Sequence, residues 1–130
     1  MIALALWLTL AQAAPAARPT PAPPPPPPVV APYEADMLRL AELLGALAYL
    51  RDLCDGGDGA RFRERMAALI EADPRAAEAR EQLAGAFNRG VESYRSSYRA
   101  CTPNARATID AYLTETARLA HDLGARYRGG

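Results

Sequence analysis

Residues 33–54, YEADMLRLAELLGALAYLRDLC, carry apolar side chains on nearly every side of a helix. At helical spacing Met37, Leu40, Leu43, Leu44, Leu47 and Leu50 form one stripe, while Leu38, Ala41, Gly45, Ala48, Tyr49 and Leu53 fill most of the opposite side. A helix that is oily all round must be enclosed by other helices. This stretch is therefore expected to be the central rod of an all-α domain.

The chain downstream supplies three companions. Asp55-Gly56-Gly57-Asp58-Gly59 stops the rod, since glycine readily takes the left-handed conformation at a helix end. The two aspartates there lack the further spaced oxygens and the closing Glu of a calcium loop, so the segment reads as a turn. A second helix is expected over 60–72, with Phe62, Met66, Leu69 and Ile70 on one face. Asp73-Pro74 reads as an N-cap followed by proline in the first turn. It opens a third helix over 74–101 with the seam Ala79, Leu83, Phe87, Gly90, Val91, Tyr94, Tyr98 and Cys101. Thr102-Pro103 repeats the signature and opens a fourth over 103–127, with Ile109, Tyr112, Leu113, Thr116, Leu119, Ala120, Leu123 and Tyr127 facing in. No segment alternates as a strand does.

Short connections between helices favour an up-down-up-down four-helix bundle. In that order the first and third helices end at the same pole, where Cys54 and Cys101 would meet. In an exported chain such a pair is most simply a disulfide. Two buried free thiols in a cytosolic chain, or a redox pair, are the alternatives, though no C-x-x-C motif is present.

Upstream, residues 1–14, MIALALWLTLAQAA, are apolar and end in small residues, with Ala11-Gln12-Ala13 matching the cleavage pattern of a secretory signal peptide. No Lys or Arg precedes the apolar run, and it is too short to span a bilayer. Residues 15–32 hold ten of the twelve prolines and read as an extended, disordered tether of up to about 55 Å. A docking site for a proline-binding groove is the rival reading, but composition alone names no partner. The helical domain occupies 33–130.

Two blocks, LAELLGALAYLRDLC ending at Cys54 and FNRGVESYRSSYRACTP around Cys101, occur in order. In them the chain resembles an uncharacterised family of small exported alphaproteobacterial proteins with two well-separated cysteines. The resemblance spans residues 33–127. It implies an export signal, a helical domain and a disulfide, and no activity. The long proline tract departs from the family's pattern.

The residues that could carry chemistry are sparse. With 15 basic and 15 acidic residues the chain is neutral, and every basic residue is Arg. Without Lys there is no phosphate loop of the usual kind. His121, the single histidine, falls off the inward seam and reads as solvated; alone it builds no multi-histidine zinc site. The serines cluster at Ser93, Ser96 and Ser97 on a helix rather than at a nucleophile elbow. Glu42 sits mid-rod among leucines, so it is either paired with Arg39 or another Arg, or raised in pKa. Arg51 lies one turn before Cys54, where the helix dipole favours a cation and an anion could be held. Asn88, Arg89, Tyr94, Arg95, Tyr98 and Arg99 form the densest polar-aromatic patch, which with Arg51 makes the candidate binding surface. Alternating Tyr and Arg also suits single-stranded nucleic acid, but the neutral charge and expected export oppose that partner.

These features point to a non-catalytic periplasmic protein of the cell envelope that binds a protein or glycan. No metal or cofactor is expected, and no transmembrane span in the mature chain. A small hydrolytic or carbohydrate-active enzyme using Glu42 is the alternative, and a chaperone-like stress protein a third.

Overall fold

The computed structural model describes residues 11–24, 32–54 and 56–128. Most of the apolar leader and the stretch 25–31 of the proline tract lie outside the described residues, as does the Tyr127 side chain. The described part of the tether, 15–24, is exposed and forms neither helix nor strand, as expected of a backbone short of N–H donors.

Four helices make up the described domain: α1 (Pro32–Leu53), α2 (Gly59–Ala72), α3 (Ala77–Arg95) and α4 (Pro103–Arg128). Among the described residues there is no strand, and no helix is long and apolar enough to cross a membrane. Helix α1 is the rod: Met37, Leu40, Ala41, Leu43, Leu44, Leu47, Ala48 and Leu50 are all buried, and α1 packs against each of the other three helices. Helix α4 approaches the backbone of α1 alone, so the bundle is built around a hub rather than a closed ring.

Along α1 and α3, Gly45 meets Phe87, Tyr49 meets Tyr98 and Cys54 meets Cys101. Along α1 and α4, Asp36 meets Arg126 and Arg39 meets Glu115. On α2, Arg63 pairs with Asp52, and Leu69 lines a groove together with Met37. Helices α1 and α3 come so close that a Cβ on Gly45 would lie 2.0 Å from the Phe87 carbonyl oxygen.

The turn after α1 bends at Gly57, whose φ of 56° lies in the left-handed region, and its N–H caps the Arg51 carbonyl at 2.9 Å. Cys54 and Cys101 are joined, with Cα atoms 5.0 Å apart. The Thr102 cap is present: its Oγ1 accepts the Ala105 N–H at 3.0 Å.

Three expectations need correction. Helix α3 stops at Arg95, not Cys101. The Ser96 and Ser97 hydroxyls donate to the Glu92 and Ser93 carbonyls, competition that weakens helices at serine, and the chain then crosses to bring Cys101 onto Cys54. Asp73 does not cap α3, which begins at Ala77 with no side-chain cap; its carboxylate instead accepts the Arg75 backbone N–H at 3.0 Å and the Arg75 guanidinium. On α4, Leu113 is 37% exposed and Ala120 is exposed, because α4 approaches the backbone of α1 alone and buries a narrower stripe.

Thr116, facing inward on α4 as expected, is 8% exposed, and its hydroxyl has no hydrogen-bond partner among the described residues. Thr116→Val keeps the shape and removes the orphan group, so it is expected to raise stability by about 1 kcal/mol in urea titration. A less stable variant would mean the hydroxyl is bonded in solution.

Candidate functional site

Helices α2 and α4 flank the first half of α1 without touching each other. The gap is an apolar groove of about 490 Å³ at the end of the domain where the tether joins. Met37 and Leu40 form its floor, Leu69 and Ala72 one wall, and Ala120, Leu123 and Gly124 the other, while Tyr33 and the Asp73-Pro74 turn also line it.

The charges around it are mutually satisfied. The Asp73 side chain is 1% exposed and is bound by Arg75 through contacts of 2.7–3.0 Å. The hydrogen bonds from Arg75 hold the Asp73 carboxyl below the usual carboxylate range, against the opposing effect of burial. Arg75 also lies over the Tyr33 ring, 5.8 Å from its centroid, and 3.9 Å from Glu34. On the α4 side Arg126 pairs with Asp36. Among its described lining residues the groove thus offers apolar surface and one carboxylate, Asp73, already held by Arg75. Such a lining suits binding an apolar segment.

A polar network lies farther along α1. Arg39 grips both oxygens of Glu115, at 2.9 and 3.0 Å, reaches Glu42 at 3.4 Å, and lies over the Tyr112 ring at 5.5 Å. Glu42 is paired with Arg39, as the sequence suggested, but its side chain is 44% exposed. The Tyr112 hydroxyl meets that of Tyr94, and burial pushes the Tyr94 phenol well above its ordinary pKa. Glu115 is held low by its hydrogen bonds from Arg39.

Asp58, Asp73 and Glu115 all have a depressed pKa, held down by hydrogen bonds from Arg51, Arg75 and Arg39, which fixes the sign of the acid response. Asp73 and Glu115 contribute stability above the unfolded carboxyl range, and that contribution is lost as pH falls through their folded values. The urea midpoint is expected to stay level down to about pH 5 and to fall below about pH 4. Asp73→Asn should flatten that acid limb; an unchanged limb would remove Asp73 as a cause.

The seven residues of the candidate Arg/Tyr surface differ in their surroundings. Arg51 is engaged by Asp58 at 2.5 and 3.1 Å. Tyr94 and Tyr98 stack with centroids 6.2 Å apart, and the Tyr98 carbonyl accepts the Tyr49 hydroxyl. Asn88, Arg89, Arg95 and Arg99 are exposed, with Arg95 paired to Glu92 at 2.7 Å. His121 is exposed, as expected. Sequence reasoning missed the groove. Leu69 and Leu123 read as inward-facing, but nothing in their spacing indicated that α2 and α4 diverge.

No curated protein and no solved structure matches the chain. The family model described as a protein of unknown function, DUF2385, matches residues 32–127, which takes in all but the last residue of the four-helix region. The chain belongs to the DUF2385 family.

Proposed function

We propose that this protein is a non-catalytic, exported module of the cell envelope that binds an apolar segment of a partner protein in the groove between α2 and α4. One observation carries the reading: the groove is apolar, and its single carboxylate, Asp73, is already held by Arg75. A site so composed can bind but has no group free for acid–base or nucleophilic work. The lining favours a protein segment over a glycan, which would need unpaired donors and acceptors.

Export is supported by the apolar leader with its Ala11-Gln12-Ala13 ending and by the disulfide, which persists in oxidising compartments. The order of contacts along α1 supports an up-down-up-down arrangement. The tether would hold the domain away from the surface that its partner occupies.

The test places a photo-crosslinking residue at Ala72, an exposed wall position, in chain expressed in an envelope-bearing bacterium. A discrete adduct in the periplasmic fraction, lost on Leu69→Glu, is the expected result. Chain that stays in the cytosol, or a hydrolytic activity abolished by Glu42→Gln with unchanged melting, would overturn the reading.

A further inference from the structure

The proline tract has so far no role beyond reach, yet its root lies at the groove, where Pro32 opens α1 and Tyr33 lines the cavity. We propose that residues 15–24, PAARPTPAPP, dock in the groove of a second copy of this chain, so that two chains exchange tethers. The proposal rests on the groove reading above and names the occupant.

Four observations support it. Residues 15–24 are exposed and form no helix or strand in the single chain, so their surface is unused. Five of the ten are proline, so burying the segment strands few N–H donors, and a polyproline II rod loses little entropy on docking. The groove floor from Tyr33 to Leu40 is about 10 Å long at helical rise, a length that three or four polyproline II residues cover at about 3.1 Å each. The segment's one charge, Arg18, would find Glu34 at the rim, 47% exposed and held by Arg75 only at 3.9 Å.

The same chain cannot easily supply the rod. Seven residues separate 24 from 32, and four are proline, whose fixed φ opposes the reversal needed to return. A two-fold axis needs no reversal. Because the groove lies where α1 begins, a two-fold axis at that end would bring each chain's proline tract to the other's groove, a self-complementary contact.

Sedimentation equilibrium of the full chain from micromolar to millimolar concentration tests this. A monomer–dimer equilibrium is expected, weakened about tenfold or more by deleting residues 15–24 and by Ala72→Arg, with melting unchanged. Added peptide PAARPTPAPP should dissociate the dimer and shift the amide resonances of Tyr33, Met37 and Leu69. A chain monomeric throughout with no peptide-induced shifts, or a dimer that survives the deletion, overturns the proposal. A monomeric chain whose Ala72 crosslinker still captures an envelope protein overturns tether exchange alone; monomer without any adduct sinks the groove reading as well.

Discussion

Gly90→Ala is expected to destabilise the domain severely, whereas Gly85→Ala, earlier on the same helix, is expected to stabilise it. Both substitutions gain the same intrinsic helix propensity, about 1 kcal/mol in favour of alanine. At Gly85 nothing opposes that gain: the nearest foreign atom to an added Cβ is the flexible Arg89 guanidinium at 3.6 Å. At Gly90 the Cβ would lie 2.1 Å from the Glu42 carbonyl oxygen and 2.9 Å from the Ala46 nitrogen. Both atoms are α1 backbone and cannot rotate away. The helices must separate, and separation loosens Leu43 and Leu47, fully buried on α1, and Leu83 on α3.

Overpacking of side chains costs about 1–3 kcal/mol, and a backbone clash falls at or beyond the upper end. Set against the propensity gain, a net loss of about 2 kcal/mol or more is expected for Gly90→Ala, a fall in Tm on the order of 8–16 °C. Gly85→Ala should raise Tm by about 4–8 °C. Gly45 meets the same contact from the other side, at the Phe87 carbonyl. The double substitution Gly45→Ala, Gly90→Ala should therefore cost less than the sum, since the first alanine has already parted the helices. Paired thermal melts decide the matter: a Gly90→Ala protein that melts higher than the parent would show that α1 and α3 do not approach this closely.

The rod was legible because burial on every side leaves a pattern that only a central helix shows. Capping was legible in one place and misleading in the other, though both carry a cap residue followed by proline. Thr102 caps α4 because its hydroxyl bonds the Ala105 N–H. Asp73 does not cap α3 because Arg75, two residues on, takes its carboxylate, a side-chain competition that a two-residue signature does not encode. The apolar seam ran on through Tyr98 and Cys101, yet α3 ends at Arg95. Periodicity reports which face a residue would occupy if the helix continued; it does not weigh Ser96 and Ser97 drawing on helical carbonyls. Within the Arg/Tyr stretch, residues adjacent in sequence differ in surroundings for a related reason: Tyr94 meets Tyr112 while Arg95 is exposed. The groove depends on the spacing between two helices that never touch, which no single-segment pattern contains.

Replacing both Cys54 and Cys101 by alanine is expected to bring the domain close to its unfolding limit. The bond closes a sequence separation of 47 residues, and releasing a loop of that size returns unfolded-state entropy worth about 4 kcal/mol. Against a total of about 5–15 kcal/mol for a small domain, that is a large share. The loss acts mainly through the unfolded chain, so the α1–α3 contact should persist in the variant's native state. The crossing segment 96–102 loses an anchor, and the Tyr49 hydroxyl on the Tyr98 carbonyl still ties it to α1. Its amides should exchange first. The same geometry predicts how the wild-type bond responds to a dithiol. Cys54 is 7% exposed and Cys101 partly buried, so a dithiol is expected to attack at Cys101, and the rate should rise with sub-denaturing urea as the segment opens. Urea titration of the double-alanine variant reads the first effect and timed thiol labelling the second. A midpoint shift worth under about 1 kcal/mol would mean the cross-link constrains little that the α1 core does not already hold.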